Sequence, residues 1–160
     1  MSATKLRDEA VRWTPVDGLP ELPLGALDFA YSANENRLTV KAYFRDVSHF
    51  LPQFEPPVDG LVLDFENVEA FKAYEEFTDP LYAAHADVPA LADQIPYGGT
   101  WGFIEILRSS WVDRLADRNS RGRRPARHWV IKSEDMVLHV SVRPSLAPAF
   151  REWIFRPAAD

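Results

Sequence analysis

The 160-residue sequence contains no cysteine. This absence excludes disulfide bonds, thiolate nucleophiles and zinc sites built on cysteine. The sequence also lacks any apolar run near the ~20 residues that a membrane-spanning helix requires. The first ten residues are charged and show no apolar core of a signal peptide. We therefore expect a cytoplasmic protein that does not enter a membrane.

Basic side chains are scarce in the middle of the sequence. Residues 46–107 contain twelve acidic side chains and one basic side chain, a balance of −11, whereas residues 108–160 carry eleven basic and six acidic ones, a balance of +5. Residues 1–45 are balanced, and the net charge is −6. This skew either creates a one-sided potential that attracts a charged partner or disappears because the two segments fold against each other.

Aromatic residues are plentiful, with ten Phe, five Trp and five Tyr, so a single domain over residues 1–160 can bury a substantial core. The stretches 27–31 and 38–44 alternate apolar and polar residues, which is typical of strands with one buried face. A polar turn at residues 33–36 predicts that they form a hairpin. A four-residue loop sets Tyr31 opposite Leu38, and a two-residue loop remains an alternative.

A second hairpin is predicted for residues 128–132 and 137–142, with its turn at Glu134 and Asp135. In that register Trp129 and Ile131 lie on one face. His128 and His139 share the opposite face with Val130 and Ser141.

The remaining patterns predict further short elements. They are strands at 61–65 and 100–107 and helices at 4–13, 111–117 and 146–155, with Ser109 or Ser110 as the cap of the second helix. Residues 67–77 fit either a helix capped by Asn67 or a strand that bends and continues. The elements together predict an α+β domain with a mainly antiparallel sheet of five or six strands and short flanking helices.

Histidine is the natural candidate for acid–base chemistry near neutral pH. His128 and His139 are predicted to be neighbours, and His85 lies near two aspartates in the sequence. No histidine has a further ligand at the spacing of a metal site, so we expect neither a metal nor a cofactor. The two serines at 109–110 lack the flanking glycines of a nucleophile elbow, and helix capping explains them.

An arginine-rich segment precedes the second hairpin and provides an alternative, anion-binding site. Its candidate residues are Arg121, Arg123, Arg124 and Arg127. Nucleic-acid binding is disfavoured, because the protein is acidic overall and this segment has no interleaved aromatic residues for base stacking.

The acidic segment offers a surface for a basic protein partner. A docking face needs no catalytic geometry and produces fast, salt-sensitive association. We expect the partner to contact six carboxylates, with two tryptophans as aromatic anchors if they are exposed. These residues are Asp64, Glu66, Glu69, Glu75, Glu76, Asp79, Trp101 and Trp111.

Three segments together, residues 65–76, 99–111 and 128–140, resemble small bacterial proteins, some of which are similar to immunity proteins that neutralise toxins from neighbouring cells. The resemblance implies extended structure after Asn67 and a non-enzymatic function in binding a protein, for example a basic toxin domain. The alternative function is a small-ligand-binding protein or enzyme, with a pocket between sheet and helices that uses His128 and His139 or His85.

Overall fold

The computed structural model describes residues 8–46, 58–75, 89, 91, 100–118, 126–143 and 147–155. These residues form nine strands and one helix: β1 (Glu9–Arg12), β2 (Leu24–Ser32), β3 (Arg37–Phe44), β4 (Gly60–Glu66), β5 (Val68–Glu75), β6 (Phe103–Leu107), α1 (Ser110–Arg118), β7 (Arg127–Lys132), β8 (Met136–Val142) and β9 (Ala149–Ile154). The first sheet has the strand order β1-β6-β7-β8-β5, and the second has the order β2-β3-β4-β9. All neighbouring strands within the two sheets are antiparallel.

The two sheets pack face to face around one apolar core. The inner face of the four-stranded sheet contributes Leu38, Val40 and Leu63, and the inner face of the five-stranded sheet contributes Trp129 and Val140. Alternation along each strand directs these side chains inward. The protein is therefore a β-sandwich, in which the face of each strand that carries the apolar side chains is buried.

Both predicted hairpins are confirmed, and the structure decides the register that the sequence left open in the first one. Tyr31 lies opposite Leu38, as the four-residue loop requires. In the second hairpin Trp129 lies opposite Val140, and His128 lies opposite Ser141. Both registers keep the apolar side chains of each strand on one face, because a shift by one residue would turn them towards solvent.

The ambiguous stretch after Asn67 is a strand over the residues that the structure describes. Asn67 has a φ of 55°, a left-handed conformation that asparagine tolerates better than most residues. This single residue ends β4 in the four-stranded sheet and starts β5 in the five-stranded sheet. Pairing of β5 with β8 explains why extended structure prevails over the local helix propensity of this segment.

Two predicted helices are wrong where the structure describes them. Residues 9–12 form β1, the edge strand of the five-stranded sheet, because they pair with β6. Residues 149–154 form β9, which pairs with β4. In the pairing of β9 with β4, Val62 lies opposite Glu152 and Leu63 lies opposite Phe150, so Arg151 is an extra residue in β9. This bulge lets Phe150 and Trp153 face the same side although they are three residues apart. The β-bulge therefore places two inward-facing residues three positions apart, which is the spacing that predicted a helix.

The predicted fold class is correct in its mainly antiparallel sheet and wrong in its proportions. The described residues hold nine strands in two sheets instead of five or six strands, and one of the three predicted helices is present. That helix, α1, begins after Ser109, whose Oγ accepts a hydrogen bond from the amide of Val112 at 3.2 Å. Within the described part of the chain, no helix is long and apolar enough to cross a membrane.

Candidate functional site

A hydrogen-bonded pair of histidines lies on the outer face of the five-stranded sheet. His128 of β7 and His139 of β8 are each 4% exposed, and Nε2 of His128 is 2.7 Å from Nδ1 of His139. The Nδ1 of His128 is 2.7 Å from Oγ of Ser109, the residue that caps α1. The predicted proximity of the two histidines is confirmed, and we call His128 and His139 the histidine pair.

The histidine pair needs one donor and one acceptor at each contact, and two tautomeric arrangements satisfy this rule. In one arrangement the Ser109 hydroxyl donates to His128, which donates to His139. In the other arrangement His139 donates to His128, which donates to Ser109. In both arrangements an unprotonated ring nitrogen is the acceptor between the two rings.

Aromatic and basic side chains shield the histidine pair. Trp111 of α1 packs against His128 with ring centroids 4.9 Å apart, and Tyr74 packs against His139 at 5.7 Å. The Nζ of Lys72 lies 4.4 Å from the ring centroid of Trp111, a cation–π distance. The hydroxyl of Ser141, beside His128, is buried and has no hydrogen-bond partner among the described residues.

Burial in this environment lowers the pKa of His128 to about 2, with smaller contributions from His139 and from the positive charge of Lys72. His128 is therefore neutral at physiological pH. A general base works best when its pKa is near the operating pH, so His128 is poorly matched to that task. The described residues also hold no group of three or more side chains able to bind a metal ion. His85, the other histidine of the predicted alternative site, lies outside the described residues.

Ser109 does not have the setting of a catalytic nucleophile. Its Oγ is buried and accepts the amide hydrogen of Val112 as a helix cap. Ser110, the other predicted cap, makes a different contact, since its amide and hydroxyl donate to the carboxylate of Asp8 at 2.9 and 3.1 Å. The two serines thus fasten the start of α1 to two neighbouring segments.

A second cluster lies at the edge of the sandwich, where β2 and β5 meet. Tyr31 and Phe71 are large and exposed, at 43% and 36%. Their ring centroids are 5.3 Å apart, and Phe29 completes the cluster at 6.0 Å from Phe71. We call Phe29, Tyr31 and Phe71 the aromatic edge. The three side chains lie on the apolar face of each strand but at its border, where no further strand of the described chain covers them.

Carboxylates flank the aromatic edge. The hydroxyl of Tyr31 donates to Oδ1 of Asn36 at 2.7 Å, at the tip of the first hairpin. The next residue, Arg37, contacts both Glu35 at 3.2 Å and Glu66 at 3.1 Å. Two exposed carboxylates therefore share one guanidinium group, and this corner retains a negative charge.

The predicted acidic residues do not form one face. Asp64 and Glu66 lie in β4 of the four-stranded sheet, whereas Glu69 and Glu75 lie in β5 of the five-stranded sheet. Asp64 binds Arg151 through two contacts of 2.6 and 2.7 Å, and Glu69 binds Arg143. Glu76 and Asp79 lie outside the described residues.

The acidic and basic segments of the sequence do meet in the fold. Three ion pairs join a carboxylate from residues 46–107 to an arginine from residues 108–160: Asp64 with Arg151, Glu69 with Arg143, and Glu105 with Arg127. The charge skew of the sequence is thus partly cancelled. Hydrogen bonding to Glu105 also raises the pKa of Arg127. Arg127 is therefore occupied, and Arg121, Arg123 and Arg124 of the predicted anion site lie outside the described residues.

Neither tryptophan is an exposed anchor. Trp101 is 2% exposed, its indole Nε1 donates to the carbonyl of Trp13 at 2.7 Å, and the guanidinium of Arg12 covers its ring. Trp111 is half-buried against the histidine pair. Both tryptophans were expected to be anchors only if exposed. Trp101 is buried and Trp111 is only partly exposed.

A small cavity of about 110 Å³ lies away from both clusters. It is lined by Pro23, Leu24, Arg45, Thr100, Lys132, Ser133 and Glu134. Ligand pockets are usually larger, at roughly 300–1,000 Å³. An ion pair of 2.8 Å between Arg45 and Glu134 also balances one of its charges.

Comparisons with protein-family models, with curated proteins and with solved structures found no match to this chain. The assignment of a function therefore depends on the clusters described above. Sequence reasoning found the histidine pair but missed Tyr31 and Phe71 as surface residues. The alternation of Tyr31 and Phe71 with neighbouring residues correctly indicated an apolar face. The sequence did not reveal that β2 and β5 lie at the borders of their sheets, where this face stays partly exposed.

Proposed function

We propose that this protein is a cytoplasmic, non-enzymatic binding module that captures a basic protein partner through the aromatic edge, as an immunity-type protein captures a toxin. The observation that carries the proposal is the exposed ring contact between Tyr31 and Phe71, which come from different sheets. Exposed aromatic side chains in contact with each other are the usual centre of a protein–protein interface.

Charge identifies the kind of partner. The aromatic edge is bordered by Glu35 and Glu66, which share the single positive charge of Arg37. An aromatic centre with an acidic rim complements a partner that offers an apolar side chain surrounded by lysine or arginine. This arrangement retains Glu66 from the predicted acidic surface and replaces its tryptophan anchors by Tyr31 and Phe71.

The alternative function, an enzyme or small-ligand binder that uses the histidine pair, has less support. His128 is held neutral by a lowered pKa, and its Nδ1 and Nε2 are 2.7 Å from Ser109 and His139, respectively. The cavity of about 110 Å³ does not include either histidine in its lining. These contacts give the histidine pair a structural role that requires no substrate.

The first experiment removes the aromatic centre. Affinity capture from a lysate of the native host compares the wild-type protein with a Tyr31→Ser/Phe71→Ser double variant. Leu107→Ser is the matched control, because Leu107 is 38% exposed and lies in β6, next to the opposite border of the five-stranded sheet. We expect a basic protein to be retained by the wild type and by the control and to be lost by the double variant. Equal retention by all three would remove the basis for the proposal.

The second experiment tests the acidic rim with the captured partner in purified form. We expect Glu35→Gln/Glu66→Gln to weaken binding at low salt and to flatten its dependence on salt concentration, because rim charges mainly accelerate association. Glu9→Gln is the control, since Glu9 is a similarly exposed carboxylate in β1. This strand lies at the border of the five-stranded sheet opposite to β5, which carries Phe71 of the aromatic edge. A salt dependence that is unchanged in the double variant would contradict the role of the rim.

A further inference from the structure

We infer that the partner binds as an added β-strand along β2, through an extended segment that alternates apolar and basic side chains. This inference rests on the proposed function and deepens it, because β2 carries two residues of the aromatic edge. Within the described chain, residues 26–32 of β2 pair with β3 alone, and β2 is the border strand of its sheet. We call the side of residues 26–32 that faces away from β3 the free edge. Such an edge is a template for the backbone of another chain, and β2 contains neither the lysine nor the proline that often protects one.

Two hydrogen bonds show which residues of β3 bond to β2. The N–H of Phe44 donates at 2.8 Å to the carbonyl of Asp59, which directly precedes β4. The N–H of the next residue, Arg45, donates on the opposite side, at 2.8 Å to the carbonyl of Pro23, which directly precedes β2. Because successive residues of a strand bond to opposite sides, the odd-numbered residues of β3 bond to β2.

The free edge therefore presents the backbone groups of the aromatic edge itself. The odd-numbered residues of β3 lie opposite even-numbered residues of β2, for example Thr39 opposite Ala30. Ala30 thus bonds to β3, and its neighbours Phe29 and Tyr31 direct their N–H and C=O groups outward, as Leu27 does. A strand that pairs with these groups places every second side chain beside Phe29 and Tyr31, on the face that carries the aromatic edge.

The start of β2 already accepts a second segment on this side. The carbonyl of Leu24 accepts a hydrogen bond from the amide of Glu134 at 3.1 Å, and Leu24 forms an isolated parallel bridge with Ser133. A register shift between Leu24 and Ala26 follows, and no described segment continues this pairing beyond it. Pairing on the outer side of β2 is thus used at one end of the strand and is open along the rest of it in the described chain.

The charges beside the free edge indicate basic residues in the added strand. Asp28 is exposed on the opposite face of β2 from the aromatic edge and forms no ion pair with a described residue. Lys41 lies opposite Asp28 in β3, one strand further from the free edge. At the end of the same hairpin, Glu35 and Glu66 share the charge of Arg37. A lysine or arginine between the apolar residues of an added strand would therefore meet Asp28 first.

Amide hydrogen exchange measured by NMR tests strand addition residue by residue. The probe is the peptide Lys-Val-Lys-Val-Lys-Val-Lys with capped ends, added to the wild-type protein at low salt. With the peptide at about ten times its dissociation constant, the protection of the Leu27, Phe29 and Tyr31 amides should rise by about tenfold. The protection of Ala30, which bonds to β3, should stay unchanged. No chemical-shift change at the three outward amides with about 1 mM peptide would overturn the inference.

The same experiment separates strand addition from the proposed function. Shifts in the side chains of Tyr31 and Phe71 without protection of the three amides would overturn strand addition and leave the aromatic edge as the binding surface. Protection of the three amides in the peptide-free protein, together with a dimeric mass, would assign the free edge to a second copy of the chain and would also overturn the inference. Failure of the proposed function would appear instead as equal capture by the wild type and by Tyr31→Ser/Phe71→Ser.

A pair of charge variants tests the position of the added strand. Asp28→Lys places a repelling charge beside the free edge and should weaken peptide binding by about tenfold at low salt. Glu152→Lys is the control, because it makes the same change of charge at an exposed position of β9, the other border strand of the same sheet. The control should alter the affinity by less than about twofold. Equal weakening by the two variants would show an effect of net charge alone and would overturn the placement at β2.

Two modified peptides test the backbone hydrogen bonds. One is N-methylated at every valine and the other at every lysine, so each loses the N–H groups on one side of the strand. One of the two must therefore bind at least about tenfold more weakly than the parent peptide, since it cannot donate to the outward carbonyls of β2. Affinity equal to that of the parent peptide in both would overturn the inference.

Discussion

The histidine pair and the aromatic edge are both candidate functional clusters, but they have opposite surroundings. His128 and His139 are buried, hydrogen-bonded to each other and covered by Trp111. Tyr31 and Phe71 are exposed and contact each other at the border of the sandwich. The comparison shows that residue type alone does not predict which side chains are exposed. The histidines, which are the more reactive groups, are held in a buried, hydrogen-bonded array, and the aromatic residues, which resemble core, are exposed.

The largest expected difference between the two regions is in stability. Ile104 is fully buried near the histidine pair. Its replacement by Ala should lower the free energy of unfolding by about 2–5 kcal/mol. Tyr31→Ala should cost about 1 kcal/mol, roughly the value of one aromatic pair contact. Urea denaturation at pH 7.5 measures both values. Equal costs would show that the aromatic edge is as much a part of the core as Ile104.

The next effect depends on pH. The pKa of His128 is lowered from 6.5 to about 2 in the folded protein, so the unfolded chain binds a proton more readily between these values. The stability that comes from keeping His128 neutral is therefore complete above about pH 6.5 and is lost as the pH falls. Between pH 7 and pH 5 the loss should be about 2 kcal/mol, from 1.36 kcal/mol for each pKa unit.

Denaturation of the wild type and of His128→Gln at both pH values checks this loss. The variant should have a smaller decrease in the free energy of unfolding, by about the same 2 kcal/mol, because it has no proton to gain at this position. A variant and a wild type with parallel pH dependence would show that His128 is not held neutral by the fold.

The smallest expected effect concerns the charged residues of β4, which separate a structural carboxylate from a rim carboxylate. Asp64→Asn should cost about 1 kcal/mol, since Asp64 accepts hydrogen bonds from Arg151 and Thr39 and is largely shielded from solvent. Glu66→Gln should cost less than about 0.5 kcal/mol, because its ion pair with Arg37 is exposed. Thermal denaturation of the two variants at low salt and at 1 M salt measures both costs. A larger cost for Glu66 would place it among the structural residues.

Local patterns in the sequence were sufficient for the hairpins and for α1. The alternation on either side of residues 33–36 predicted the first hairpin, with the pairing of Tyr31 and Leu38 as one of two registers, and the second hairpin brought His128 and His139 to the same face. Both cases involve contacts between neighbouring segments of the chain, so a period of two and a turn are enough information.

Contacts between distant segments explain the failures. The helix predicted over 146–155 is the strand β9 where it is described, because pairing with β4 and the bulge opposite Val62 and Leu63 decide its conformation. Likewise, the predicted acidic surface is divided between two sheets by the turn at Asn67. The arrangement of strands at the borders of the sheets determines which apolar residues stay exposed, and no local pattern encodes that arrangement.

We propose that the aromatic edge, and not the histidine pair, binds the partner. Affinity capture at pH 7.5 with His128→Gln and with Tyr31→Ser/Phe71→Ser, in parallel and with equal amounts of folded protein, tests this claim directly. The account predicts that His128→Gln retains the partner of the wild type and that the double variant loses at least about 90% of it, as expected when two central interface residues are removed. Loss with His128→Gln and retention with the double variant would contradict the account.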